Sequence, residues 1–354
     1  MDILTLILAI ASMILLHELG HFLACRLLGI EVEEFGIGFP PRVAHLFTWQ
    51  GVEYTLNALP LGGFVRPKGE GDPTIEGGLA AASPAKRFAV YFAGPLMNIL
   101  TAILLYSISF ARIGMPITNQ VVIQTVAPES PAAQAGIQPG DLLRSIANQP
   151  VTDMNSVHEL VAPHSGEVIS MEIEREGQTY TFDVLVRANP PEGEGAIGIV
   201  MTYPYKPISV IQALPYGTMA VGAQAYTLFT LPIQVSRGVI APEDARLVGY
   251  KGMYDMYKAV QQAEENPQAQ RSGLNSISFF AMISASLGIL NLLPIPAVDG
   301  GRILFLLPEV VLRRRIPPEM ENVINGVSFI VLLLLLVYIN LQDFINPAHF
   351  NFVP

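Results

Sequence analysis

His17-Glu18-Leu19-Gly20-His21 closes an apolar run, Ile3 to Leu16, that has no charged side chain, and Phe22-Leu23-Ala24 resume it at once. Ionisable groups inside such a run are costly in a bilayer and mark a function by default. On a helix, residues four apart share a face, so His17 and His21 can aim imidazole nitrogens at one cation. Glu18 sits between them, placed to take a proton from water beside that cation.

The rest of the chain is built for lipid. Of 354 residues, 51% are hydrophobic and only 14% charged, against about a quarter in soluble domains. The length allows roughly two domains. The net charge of -10 and pI near 5.1 exclude nucleic acid as an expected partner. The one cysteine, Cys25, has no internal disulfide partner and reads as a small packing residue. The first run has no basic residues before it and no small-residue cleavage pattern after it, so a retained span is expected rather than a secretory signal.

A spanning helix needs about 20 mostly apolar residues. Four segments qualify: Ile3 to Leu28, Phe88 to Phe110, Leu274 to Leu293 and Val323 to Leu341. A fifth, between Lys206 and Arg237, is uncharged but carries Pro207, Pro215, Pro232 and Gln212, Gln224, Gln234. Arg26, Lys86, Arg87, Arg302 and Arg313 to Arg315 flank the spans, and basic flanks favour the cytoplasmic side. That places the N-terminus, the C-terminus and the long piece Arg112 to Gly273 outside. The long piece has 10 Lys+Arg against 16 Asp+Glu.

Between the first two spans, alternating Val52, Tyr54 and Leu56 read as a strand, and Leu59 to Val65 as a turn into another. Such a hairpin either presents strand edges to an extended substrate or simply connects two helices. Residues 115–203 look like a soluble block. Val121-Val122-Ile123 and Met171 to Glu174 read as strands, Ser130 to Gly136 as a short helix closed by glycine, and Pro139-Gly140-Asp141 as a turn. Gln261 to Ser272 reads as a polar surface connection, and His45, His158, His164 and His349 as surface or loop residues.

His17 to His21 fit the H-E-x-x-H pattern of metalloproteases, with Zn²⁺ as the expected ion. The string alone is weak, since a packed polar patch on a helix has the same look; inside a membrane span that alternative is poor. Two histidines also leave a catalytic zinc site one protein ligand short. Asn291-Leu292-Leu293-Pro294-Ile295-Pro296-Ala297-Val298-Asp299-Gly300-Gly301 offers Asp299 just past the third span. Its prolines break the helix, and its glycines permit close backbone approach.

These two motifs, with Gly94-Pro95-Leu96-Met97-Asn98 opening the second span, resemble the site-2 protease family, most closely its bacterial regulator-of-sigma-E protease type. The resemblance covers nearly the whole chain. Ser130 to Asp141 is similar to the central segment of bacterial PDZ domains; one such domain is read here, where some relatives carry two. Val298 stands where Leu is more usual.

The resemblance implies that His17, His21 and Asp299 hold Zn²⁺ and that Glu18 is the general base. It implies that Asn291 engages the substrate backbone, and that Leu61-Gly62-Gly63-Phe64 falls where the family has a membrane-reentrant β-loop. Residues 208–237 are then expected along the outer surface or dipping inward, because a full extra crossing would put Asp299 on the wrong side. Gly94-Pro95 is read as a kinked helix start.

The expected fold is a polytopic α-helical membrane protein with about four transmembrane helices, a small membrane-associated β-element and one extramembrane α+β PDZ-like domain. Its parts are 1–114 and 274–354 in the membrane, 115–203 PDZ-like and 204–273 interfacial. The expected activity is intramembrane zinc proteolysis of a membrane-anchored substrate at the inner membrane, with the active site toward the cytoplasm. Family analogy points to a single-pass anti-sigma factor or remnant signal peptides. Two other classes compete: a non-catalytic membrane adaptor using the PDZ-like domain, and a metal-coupled transporter, for which no inverted repeat is found.

Overall fold

The computed structural model describes residues 2–191, 193–241, 245–264 and 275–347. His349 and most of the 261–272 connection lie outside them. In chain order the described elements begin with α1 (Asp2–Leu28), β1 (Val32–Trp49), β2 (Val52–Pro67) and α2 (Pro84–Ile113). Next come β3 (Met115–Pro116), β4 (Val121–Val126), α3 (Pro131–Ala135), β5 (Leu142–Ile146), β6 (Gln149–Pro150) and α4 (Met154–Val161). They are followed by β7 (Val168–Arg175), β8 (Gln178–Leu185), β9 (Ile199–Thr202) and β10 (Tyr205–Lys206). The chain closes with α5 (Val210–Ser236), α6 (Tyr250–Glu264), α7 (Ser276–Asn291), α8 (Asp299–Leu312) and α9 (Pro318–Ile345). Two compact units result, one of residues 1–110 and 209–354, the other of 111–208.

In the first unit, α1, α5 and α7 each close on α2, and glycine makes the approach close. A Cβ on Gly20 of α1 would lie 2.9 Å from the Ala93 carbonyl carbon. One on Gly288 of α7 would lie 2.8 Å from Pro95 O, and one on Gly217 of α5 2.6 Å from Ile103 O. Lipid tails provide little hydrophobic drive between helices, so small residues that let backbones approach carry the packing. The apolar contacts fall into separate clusters. Leu6 and Met13 of α1 meet Tyr257 and Val260 of α6 and Phe279 and Ile283 of α7. Ala102 of α2 meets Val221 of α5 and Ala285 and Ile289 of α7.

Among the described residues, α1, α2 and α9 are long and apolar enough to cross a membrane. The expected third span is shorter: α7 has 16 residues, capped by the Asn275 side chain accepting from Ser278 N, and ends at Asn291. The expected second span starts early, at Pro84, so Gly94-Pro95 lies well inside α2 rather than at its opening. The segment 208–237 is the one expected along the outer surface or dipping inward. It is one continuous 27-residue helix laid lengthwise and antiparallel along α2, with Ala213 and Gly217 at Ser107 and Val221 at Ala102. Gln224 is satisfied inside the bundle: Tyr106 donates to it, and it donates to Met282 O at 2.9 Å and Ser286 Oγ at 2.8 Å. Pro215 and Pro232 leave the helix unbroken, as neighbouring helices allow in membrane proteins.

β1 and β2 form a two-stranded antiparallel sheet. The expected turn at Leu59 to Val65 falls inside β2: residues Glu53 to Leu56 and Gly63 to Arg66 both pair with Glu34 to Ile37 of β1, in opposite directions, so the chain reverses between them. The hairpin is seated by Val32, Phe35 and Val52, which pack with Cys25 of α1, Val90 and Tyr91 of α2 and Leu306 of α8. α8 is an element not anticipated from sequence.

In the second unit, the main sheet has strand order β8-β7-β5-β4-β9, with β6 paired to β5. Val121, Ile123, Ile146, Met171, Ile173 and Val184 are almost wholly buried beneath it. Ser130 caps α3 by accepting from Ala133 N, and Gly136 closes it at φ 92, where glycine carries no Cβ penalty. Arg175 pairs with buried Asp141 at 2.7 Å, pinning the Pro139-Gly140-Asp141 turn to β7.

Candidate metal centre

α1 carries His17 and His21 one turn apart, and Asp299 opens α8. Asp299 reaches them because the chain folds back sharply after α7. A Cβ on Gly300 would lie 2.5 Å from the Leu292 carbonyl carbon, and one on Gly301 2.6 Å from Pro296 Cα. Only glycine lets the first turn of α8 sit that close. Ala297 adopts φ 77 in the same bend, and its N–H donates to Asn325 Oδ1 of α9 at 3.1 Å.

Three ligand atoms converge. His17 Nε2 is 3.0 Å from Asp299 Oδ2, His21 Nε2 is 3.4 Å from the same oxygen, and the two Nε2 atoms are 3.1 Å apart. Ligands at about 2.0–2.1 Å from a tetrahedral zinc stand about 3.3 Å from one another, so the triangle fits such an ion. Two imidazoles and a carboxylate also form a set used by catalytic zinc, which keeps a further position open. All three side chains are nearly buried, at 9, 12 and 13% exposure. Gly94 of α2 clears the space beside them: a Cβ there would lie 2.8 Å from His17 Nε2 and 2.6 Å from His21 Cε1.

The His21 ring is held from behind, with Nδ1 at 2.7 Å from Val90 O. Glu18 lies beside the triangle and accepts from Val65 N of β2 at 3.2 Å. The cavity in front is about 310 Å³ and is lined by His17, Glu18, His21 and Asp299 together with Phe64, Asn291 and others. Gly62 and Gly63 do not line it. They seat β2 against α1, where a Cβ would lie 2.7 Å from Ile14 Cβ and 3.0 Å from Leu15 Cδ1 respectively.

Sequence reading missed several neighbours. Val65 and Val90 contribute backbone atoms, which side-chain identity does not reveal. Glu70, Tyr91 and Arg302 also line the cavity. Glu70 and Arg302 form an ion pair, and the Arg302 guanidinium lies over the Tyr91 ring at 5.6 Å. His45 and His158 are exposed and His164 half-buried, and the ligand group includes none of them.

Apolar helices long enough for a bilayer, with two imidazoles on the first of them, a carboxylate from α8 completing a zinc-type donor set and an acid alongside, define a membrane metalloprotease. The chain belongs to peptidase family M50, the site-2 protease family, whose model matches residues 5–335. A Clostridium perfringens protein is 32% identical over 352 residues, covering 98% of this chain and 99% of that one. A Clostridium acetobutylicum protein is 28% identical over 353 residues, 99% of each chain, and a Campylobacter jejuni protein 31% identical over 363 residues, 97% of this chain and 93% of that one. All three are provisionally named zinc metalloproteases. A solved HtrA-type protease with a decapeptide is 29% identical over 23% of this chain and 25% of its own, with a TM-score of 0.20. Zn²⁺ is the metal of the family, and the donor set here fits it.

Proposed function

We propose that the protein hydrolyses peptide bonds within or near the transmembrane segment of membrane-anchored proteins. His17, His21 and Asp299 hold Zn²⁺, which when bound supplies the Lewis acidity that activates water and stabilises charge on the scissile carbonyl oxygen. Glu18 takes the proton from the attacking water and passes it to the leaving amine. Its bond to Val65 N keeps the carboxylate on the cavity side of α1.

A helical substrate hides its amides in internal hydrogen bonds and has to unwind before attack. Phe64 on β2 and Asn291 at the end of α7 both face the cavity, on either side of where an extended backbone would lie. The stretch Gly63 to Arg66 of β2 pairs with β1 along one edge only, so its other edge is open to strand addition. Gly62 and Gly63 serve by bringing that strand to α1.

The basic flanks favour an inner-membrane protein with the metal toward the cytoplasm and the 111–208 unit outside. That unit acts as the PDZ-like domain. Single-pass anti-sigma factors and remnant signal peptides are the substrates in view. A non-catalytic adaptor would need no acid beside the metal set, and Glu18 is there.

The observation that carries this reading is the convergence of ligand atoms from residues 17, 21 and 299 to within 4.8 Å on apolar helices. The test is E18Q in lipid, assayed on a single-span substrate. Zinc content stays at the wild-type level and cleavage falls about 10²- to 10⁴-fold, the usual share of a general base. Undiminished cleavage by E18Q refutes the mechanism.

A further inference from the structure

We infer that Asn98 is the positioning residue for His17, its side-chain oxygen accepting the Nδ1 proton so that Nε2 is left bare for Zn²⁺; this rests on His17 being a zinc ligand, as proposed above. The starting point is an asymmetry between the two imidazoles. His21 Nδ1 faces Val90 O, a group that can only accept. Its proton therefore sits on Nδ1, and its Nε2 is free. His17 Nδ1 faces a side-chain amide instead, with Asn98 Nδ2 at 3.3 Å.

With Nδ2 toward the ring, Asn98 donates and His17 has to carry its proton on Nε2. That proton would point into the ligand triangle, on the nitrogen that stands 3.0 Å from Asp299 Oδ2 and 3.1 Å from His21 Nε2. No metal could bind there. The two ends of an amide have the same shape, and their assignment comes from the hydrogen-bond network. Asn98 is 1% exposed, and its Oδ1 has no partner. Half a turn about the amide puts Oδ1 against Nδ1 and Nδ2 in the unpaired place. The number of hydrogen bonds is equal either way, so the donor set decides: a ligating imidazole holds its other N–H on an acceptor.

The neighbours fix the residue for this task. Asn98 sits on α2, the helix that also supplies Val90, and its backbone carbonyl accepts from Ser284 Oγ of α7 at 2.9 Å. One helix thus orients both rings, through a main-chain oxygen for one and a side-chain oxygen for the other. A bond that merely ties α1 to α2 is the competing account, and it requires only some polar pair at this place.

The test uses the full chain in lipid nanodiscs and reads zinc affinity by competition with a chelator, for wild type, N98A and N98D. N98A weakens zinc about 10- to 100-fold, the usual effect of losing a ligand's outer partner. N98D, which can only accept from Nδ1–H, stays within a few-fold of wild type. Wild-type affinity in N98A overturns the inference. So does an N98D loss as large as that of N98A when both variants melt like wild type in excess chelator. Because N98D buries a carboxylate and can fail to fold, the wild-type protein supplies an independent measurement. In ¹⁵N-histidine-labelled, zinc-loaded protein, the His17 signal, assigned by its absence in H17A, shows a protonated Nδ1; a bare Nδ1 overturns the inference. Failure of the zinc site itself is distinguishable, since wild type would then bind no zinc at all.

Discussion

Replacing Gly94 by Ala adds one methyl group at the place where α2 passes the two imidazoles. The added Cβ would stand 2.8 Å from His17 Nε2 and 2.6 Å from His21 Cε1, with His21 Nε2 closer still, where ordinary contact begins at 3.4 Å. The rings have little room to retreat. His21 is tethered to Val90 O, and α1 cannot slide away without parting from α2 at Gly20, which already sits on the Ala93 carbonyl. Overpacking of this kind costs about 1–3 kcal/mol. At about 1.4 kcal/mol per factor of ten, that is roughly a 5- to 150-fold loss of zinc affinity. The fold itself is cushioned, because Ala in a helix interior is favoured over Gly by about 0.5–1 kcal/mol.

Chelator competition gives the affinity, and melting in excess chelator gives the stability of the metal-free chain. G222A is the control: it lies in α5, and nothing stands within 4 Å of its added Cβ. It should leave zinc affinity unchanged and raise the melting temperature slightly. The expected pattern for G94A is weak zinc binding in a chain that melts near wild type without metal. Wild-type zinc affinity in G94A would show that the two Nε2 atoms do not define the metal position.

Two further perturbations probe the frame around the site. Asp343, near the end of α9, is buried and accepts from Gly249 N at 2.8 Å, Gly252 N at 2.9 Å and Arg246 at 3.1 Å. D343A leaves these donors unmatched and should cost about 3–5 kcal/mol, seen as a lowered melting temperature with zinc stoichiometry intact; an unchanged melting temperature counts against the α6–α9 tie. Burial pushes the Glu34 carboxyl up, but the Thr55 and Arg42 hydrogen bonds and the Arg66 charge outweigh it and hold it below its ordinary range. A depressed carboxylate stabilises the fold above the unfolded value, about 4.3 for Glu, and that contribution disappears as pH falls through the lower folded value. Protection factors of β1–β2 amides, corrected for the intrinsic pH dependence of exchange, should therefore fall in acid in wild type and vary less with pH in E34Q; equal slopes would remove Glu34 as the cause.

What could be read in advance was the part written in side-chain chemistry at short spacing. His17, Glu18 and His21 are legible because a helix fixes their relation within one turn, and Ser130 to Asp141 because caps and turns have local rules. The misreadings have a common source, which is satisfaction by partners distant in sequence. Gln224 counts as polar in isolation, yet Tyr106, Met282 and Ser286 take up its amide within the bundle.

The same distinction separates ligands from the residues that make them usable. Asp299 was found because a carboxylate next to paired prolines and glycines stands out in an apolar context. Gly94 and Asn98 stand out as a motif but not by role, since a glycine before a proline and an asparagine on a helix each have an ordinary structural meaning. Their place beside the imidazoles depends on how far α1 and α2 slide along each other, set by Gly20 against Ala93, while Gly288 against Pro95 sets α7, which leads to Asp299, along α2. No pattern within five residues encodes such a distance. A metal site in a membrane bundle is therefore specified twice: locally by the donors, and globally by the small residues that bring their helix close enough to a second one for its groups to clear, aim and hold the rings. Substitutions at Gly20 and Gly288 should accordingly disturb zinc binding without touching a ligand, while ligand substitutions should leave the helix spacing intact.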